Sequence, residues 1–342
     1  MSVNGRPPRI AIDAMGGDNA PAEIVAGAVL AQRDGLGQMI LVGDEARIRP
    51  LLVQQRVSLE VVHAPDAIAM DALPALALRG SVRSSLGVAV DYVRDGKADA
   101  AVSAGNSGAF LAIALVRLRT IAGIARPAIA VVFPGKRGPV IVLDGGANVD
   151  CRPEWLVQFG VMGSAYARAV LGIARPKVAI ISNGEERVKG NAQTMEAAAL
   201  LERAPIDFIG NVEGKDVFFN VADVIVTDGF VGNVMLKLSE GAAKLIGDIV
   251  VEEIASSGPL TKLGALLVRP ALRRVRHKID YDNYGGAPLL GLRGNCIVAH
   301  GRANRFAVRS AIRLAAAEVR EDVVGRIGEL VRPQNLREAP VS

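Results

Sequence analysis

Short apolar runs alternate with stretches of helical period over most of the chain. Arg9–Asp13, Met39–Gly43, Leu59–His63, Asp99–Ser103, Ala128–Phe133, Val140–Asp144, Lys177–Ser182, Asp223–Thr227 and Cys296–Ala299 read as strands. Between them, Ala22–Gln32, Gly108–Arg119, Pro153–Ala169, Asn191–Arg203 and Ala303–Glu321 read as helices. Such alternation predicts right-handed βαβ units: an α/β fold with a mostly parallel sheet and helices on both faces. No internal repeat and no Ser/Pro-rich linker divides the chain, so residues 1–342 read as one large α/β unit.

The clearest helical pattern begins near Phe230, with Val231, Val234, Leu238, Ala242, Leu245 and Ile249 on one face. Its stop signal is Ser256-Ser257-Gly258-Pro259. Residues 258–292 fit neither strand nor ordinary loop and are expected to form an inserted helical hairpin or loop. Within it Leu260, Leu263, Leu267, Ala271, Val275 and Ile279 share one side of a helical wheel. Lys262, Arg269, Arg273 and Arg276 occupy the other, with Arg274 and Lys278 at the margin. Pro270 is expected to begin a second helix. Leu263, Leu267, Arg269 and Arg273 therefore mark a surface for a membrane, a partner subunit, or both.

Composition narrows the class. Half of the 342 residues are apolar and only 4% aromatic, which suits short-looped parallel sheets and argues against an aromatic nucleic-acid platform. The net charge of +5 favours an acidic partner, phosphate or an anionic membrane surface. Cys151 and Cys296 lie far apart with no CxxC, as expected in a reducing cytoplasm. The polar start, Met1 to Arg9, runs directly into a strand, so no secretory leader is expected. The longest uncharged stretch, Ala100–Val116, is interrupted by Ser103, Asn106 and Ser107 and is too short to span a bilayer.

Five times a strand leads into a glycine-containing polar turn and then a helix start. These turns cover residues 14–21, 104–108, 144–150, 183–191 and 228–233. In a parallel sheet all five emerge at the carboxyl ends of strands, where open α/β folds place ligands. Glycine, asparagine and aspartate serve turn geometry wherever they occur. Their repetition beside Ser107, Lys189 and Lys237 points further, to an anion-binding crevice. Asn233 and Lys237, four residues apart, share a helix face.

Several familiar sites are missing from the sequence. Gly35-Leu36-Gly37 precedes a strand and cannot serve as a dinucleotide fingerprint. Gly135-Lys136-Arg137-Gly138 lacks the hydroxyl residue of a P-loop, and Gly105-Asn106-Ser107-Gly108 is one residue short of a nucleophile elbow. His63, His277 and His300 stand alone and read as strand-end or surface residues rather than general bases. Cys151 stands at a helix start, which lowers a thiol pKa, although free cysteine is usually a small buried apolar residue. Asp13, Asp144 and Asp228 end strands without clustered His or Cys, and are expected to serve turns and caps rather than a metal.

Taken together, the motifs resemble one family. The strings Asp13–Pro21, Ala104–Ala109, Gly123–Ala128, Asp144–Pro153, Gly184-Glu185-Glu186 with Lys189-Gly190-Asn191, Gly210–Gly214, Asp228–Asn233 and Tyr284–Gly291 are similar to those of the bacterial fatty acyl-carrier-protein:phosphate acyltransferase (PlsX) family. The likeness runs in order from about Arg9 to Glu321.

The resemblance implies an isocitrate dehydrogenase/phosphotransacetylase-like fold. It also implies transfer of a long-chain acyl group from acyl carrier protein to inorganic phosphate. The acyl phosphate would feed a glycerol-3-phosphate acyltransferase at the membrane, in phospholipid synthesis. A homodimer, cytoplasmic and peripherally membrane-associated, is implied, with no cofactor, no metal and no nucleic acid. On this reading Lys189 and Asn233 carry the chemistry, while Asn106, Ser107, Gly108, Asn148 and Lys237 bind phosphate or substrate. Rival readings are a phosphotransacetylase-like or nicotinamide-dependent enzyme of the same fold, or a non-catalytic membrane scaffold.

Overall fold

The computed structural model describes residues 6–279 and 285–331. Tyr284 of the motif set, and the side chains of Arg276, Lys278 and Ile279, lie outside the described residues. The strands are β1 (Arg9–Asp13), β2 (Gln38–Gly43), β3 (Glu60–His63), β4 (Ala100–Ser103), β5 (Ala128–Ile129), β6 (Val131–Gly135), β7 (Gly138–Leu143), β8 (Lys177–Ile181), β9 (Asp207–Val212), β10 (Val224–Val226), β11 (Ala287–Leu290) and β12 (Asn295–Val298). The helices are α1 (Ala22–Arg33), α2 (Glu45–Gln54), α3 (Pro74–Gly80), α4 (Ser85–Arg94), α5 (Ser107–Leu118), α6 (Pro153–Val170), α7 (Ala192–Leu201), α8 (Gly229–Ser256), α9 (Pro259–Ile279), α10 (Arg305–Arg320) and α11 (Val323–Leu330).

Two sheets result. One has the order β3-β2-β1-β4-β12-β11-β5, the other β6-β7-β10-β8-β9. Each is parallel except for one reversed strand, β11 in the first and β6 in the second. Strands such as β1, β4 and β10 are built of Ile, Val and Ala because helices cover both of their faces. Small residues bring those covers close. A β-carbon on Gly27 of α1 would stand 2.6 Å from Val308 Cβ of α10. On α6, Leu156, Phe159, Met162 and Tyr166 are buried.

Beside elements that the periodicity did not mark, namely β9, α2, α3, α4 and α11, the structure departs from the sequence expectation in three places. The run Ala128–Phe133 is not one strand; it divides at Ala130, whose N–H donates to the Pro288 carbonyl at 2.9 Å. Its two halves enter different sheets, which a continuous apolar run cannot reveal. Residues 287–290, read as part of the insertion, form β11 of the first sheet. Proline at 288 and a lone short run concealed it. Finally, α9 continues through Pro270 instead of restarting there. Residues 266–270 are exposed, so water can satisfy the carbonyl that the proline leaves free.

The expected helix after Phe230 is α8, which meets α9 at Ser257-Gly258. Much of the pair's apolar surface is uncovered; Leu238 is 71% exposed, and Leu263 and Leu267 are 56% and 77% exposed. Arg269 and Arg273 are exposed beside them. Among the described residues no helix is long and apolar enough to cross a membrane.

Candidate functional site

The carboxyl ends of strands from both sheets border one cleft of about 530 Å³. From the first sheet come Gly105, Asn106, Ser107 and Gly108 after β4, and Ala299, His300 and Gly301 after β12. From the second come Gly145 and Gly146 after β7, with Asn233, Leu236, Lys237 and Glu240 of α8. Ile129, Val131 and Val132 of the segment that joins the sheets, together with Met70, add apolar wall.

Buried aspartates shape the turns. Asp13 Oδ2 accepts the Ser103 hydroxyl at 2.6 Å, and Ser103 Oγ accepts Gly105 N–H at 3.0 Å. Burial pushes the Asp13 carboxyl above the usual range, opposed by hydrogen bonds from Ser103, Ser85 and the backbone. Asn106 then caps α5, its Oδ1 accepting Ala109 N–H at 3.0 Å. Its Nδ2 donates to the carbonyls of Met70 and Ala72, each at 2.9 Å. The side chain of Asn106 is thus spent on backbone, and the cleft meets the first turn of α5 at Ser107 and Gly108.

Asp144 does the same in the second sheet. Its Oδ1 accepts N–H from Ile129 (3.0 Å), Gly146 (3.1 Å) and Ala147 (3.0 Å). Its Oδ2 accepts both Asn148 N–H (2.7 Å) and Asn148 Nδ2 (2.8 Å). Burial raises this carboxyl's pKa as well, against the pull of those donors. Asn148 Nδ2 also donates to the Pro127 carbonyl at 2.8 Å, so Asn148 stands behind the turn and outside the cleft lining. Its carbonyl accepts Gly229 N–H at 2.7 Å, and Asp228 caps α8 by accepting Val231 N–H at 2.8 Å. The first turn of α8 is therefore fixed to the Asp144 turn. A β-carbon on Gly146 would stand 3.5 Å from Asn233 Cβ. Asn233, Leu236, Lys237 and Glu240 follow at helical spacing on one face of α8, with Lys237 Nζ 3.0 Å from Glu240 Oε2.

Of the sequence-predicted residues, the cleft brings together Asn106, Ser107, Gly108, Asn233 and Lys237. Lys189 does not line it. Lys189 is exposed on the turn after β8, the strand beside β10, and that loop is braced by Asn183 Oδ1 accepting Gly190 N–H at 2.9 Å. Of the five turns, 183–191 stays outside the lining, and 14–21 braces it from behind, Asp18 N–H donating to the Gly301 carbonyl at 2.8 Å. Cys151 is not an activated thiol: burial, reinforced by the Asp144 charge, pushes it up to about 12.

His300, read from sequence as an isolated strand-end or surface residue, is exposed and lines the cleft. The signal that would have found it is a sixth strand–glycine–helix sequence, β12 then His300-Gly301 then α10, the same grammar as the other turns. Met70, Leu236 and Glu240 were also unmarked, because apolar and charged residues on helices and straps carry no local signature.

The profile of a family described as "Fatty acid synthesis protein" matches residues 8–326. The chain is 49% identical over 319 residues to a "Phosphate acyltransferase" of Desulforudis audaxviator, covering 93% of this chain and 95% of that one. It is 50% identical over 315 residues to a "Phosphate acyltransferase" of Myxococcus xanthus, covering 90% and 89%. Among solved structures, a phosphotransacetylase from Streptococcus pyogenes superposes with a TM-score of 0.65 at 16% identity, covering 92% of this chain and 94% of that one. A 4-hydroxythreonine-4-phosphate dehydrogenase from Klebsiella pneumoniae does so at 0.54 and 14%, covering 94% and 99%. At such identities these two structures speak for the fold alone.

Proposed function

The chain belongs to the fatty acid synthesis protein family as an acyltransferase with phosphate as acceptor, and from that premise we propose that its donor is a long-chain acyl thioester of acyl carrier protein. The product is an acyl phosphate that enters phospholipid synthesis. The observation that carries this reading is the mixed polar and apolar lining of the cleft. Its lining combines a helix N-terminus, glycine turns, Asn233 and Lys237 with the apolar side chains of Ile129, Val131, Leu236 and Met70. Amides and a cation suit phosphate, and the apolar wall suits the acyl group.

In the reaction a phosphate oxygen attacks the thioester carbonyl carbon. The new C–O bond forms, the C–S bond breaks, and the proton of hydrogen phosphate ends on the departing sulfur. No atom changes oxidation state, so the exchange calls for no redox cofactor, and a thiolate leaves without strong acid assistance. Ser107, Gly108 and Lys237 bind phosphate, with Asn106 and Asn148 supporting their turns. We assign Asn233 as donor to the developing oxyanion and Lys189 as counter-charge from the neighbouring turn.

The product is amphiphilic, and its acceptor enzyme, a glycerol-3-phosphate acyltransferase, resides in the membrane. We assign Leu263, Leu267, Arg269 and Arg273 of α9 to peripheral contact with an anionic surface. A second copy of the chain covers apolar surface of α8 in a cytoplasmic homodimer.

A turnover assay with long-chain acyl carrier protein and inorganic phosphate tests the reading. Phosphate-dependent release of the free carrier thiol with formation of acyl phosphate is expected. Thiol release only with coenzyme A thioesters, or none at all, overturns it.

A further inference from the structure

The titratable side chains lining the cleft, among the described residues, are Lys237, Glu240 and His300. Lys237 and Glu240 are paired with each other. His300 lies on the turn that follows β12, and nothing in the mechanism above uses it.

Two observations fix what its ring can do. First, its turn is held on both sides. β12 pairs with β4 so that Val298 lies opposite Ser103, and Ala299 N–H donates to the Ser103 carbonyl at 2.8 Å. The Gly301 carbonyl accepts Asp18 N–H at 2.8 Å. His300 is thereby set beside the Gly105–Gly108 turn that opens α5. Second, His300 Nδ1 accepts the Arg302 backbone N–H at 3.2 Å. A ring nitrogen that accepts carries no proton, so the neutral ring bears its hydrogen on Nε2.

We propose that His300 is a phosphate-binding residue, its neutral ring donating Nε2–H to an oxygen of the phosphate that meets the first turn of α5. This assignment rests on phosphate being the acyl acceptor. A neutral donor suits the task chemically. The attacking oxygen must keep a lone pair and the phosphate its negative charge; an N–H of low acidity orients another oxygen without handing over a proton. Lys237, already matched by Glu240, supplies attraction without direction, whereas an imidazole on a doubly anchored turn supplies direction. No proton is transferred to or from His300 during turnover.

Nitrogen-15 NMR of the intact chain tests this with inorganic phosphate as the only added ligand. With three histidines in the sequence, the ring signals are assignable by single substitution. His300 should show the Nε2–H tautomer, and its Nε2 signal should move on phosphate titration with no acyl donor present. In turnover, His300→Ala should raise KM for phosphate about tenfold or more, the worth of one hydrogen bond to a charged group. KM for the acyl thioester should stay within about twofold of the parent. His300→Gln, which keeps a side-chain N–H, should recover most of the loss. An unmoved Nε2 signal, or a folded His300→Ala protein with unchanged phosphate KM, overturns the assignment. Should the parent protein transfer no acyl group, the function proposed above fails, and the phosphate titration alone then decides the role of His300.

Discussion

Gly232, on the first turn of α8, lies so close to Asp144 that a β-carbon on it would overlap the Asp144 carbonyl oxygen. The residue that shapes the Asp144 turn and the helix that presents Asn233 are therefore in backbone contact. Gly232→Ala must push α8 outward and carry Asn233 with it. We expect turnover to fall at least about tenfold, with a loss of about 1–3 kcal/mol in stability from overpacking. Kinetics and urea unfolding of the purified variant check both; a variant with parental kcat would show that Asn233 does not need this contact.

Asn233→Ala and Lys189→Ala test the two residues assigned to the chemistry. Each should lower turnover by roughly 100-fold, the scale for removing a group that stabilises charge in the transition state. Thermal stability should barely change, since Asn233 borders an open cleft and Lys189 is exposed. Near-parental activity in either folded variant removes that residue from the chemistry.

Contact with lipid is expected to depend on α9. The double variant Leu263→Glu/Leu267→Glu should lose salt-sensitive binding to anionic liposomes while it still forms dimers and still transfers acyl groups. Each nearby Lys or Arg contributes about 1 kcal/mol at such a surface, so raising salt should weaken the parent as well. Liposome flotation of parent and variant decides it. Equal flotation would place any membrane contact elsewhere.

Glu318 makes stability depend on pH. It is buried in α10, its Oε1 has no hydrogen-bond partner, and burial pushes its carboxyl well above the ordinary 4.5. The folded chain therefore keeps a proton that the unfolded chain releases as pH rises past that value. Stability is greatest below the unfolded pKa and declines as pH climbs toward the folded one. Glu318→Gln should remove a slope of up to about 1.4 kcal/mol per pH unit and leave the variant the more stable protein at pH 8. Parallel stability curves for the two proteins between pH 5 and 8 would show that Glu318 does not titrate in this way.

Local periodicity is enough for the parallel strands β1, β4, β7, β8 and β10 and for α1, α5, α6, α7 and α10, though not for α4, which packs on β1 and β4. Their signal is the residue repeat itself, period two or continuous for a buried strand and 3.6 for a helix. The chemistry on single elements was legible for the same reason: Asn233 and Lys237 are four apart on one helix, and Ser107 and Gly108 follow a strand by one turn. Relations between distant segments were not. That Ala128–Phe133 serves two sheets, that residues 287–290 return to the first sheet, and that His300 enters the cleft while Asn148 retreats behind it depend on pairing across long stretches of chain. Asn148 and His300 each follow a strand in a glycine-bearing turn. What separates them is which groups tertiary packing brings within hydrogen-bond reach, the Asp144 carboxylate and Pro127 carbonyl for one, and a single backbone N–H with an open cleft beyond for the other.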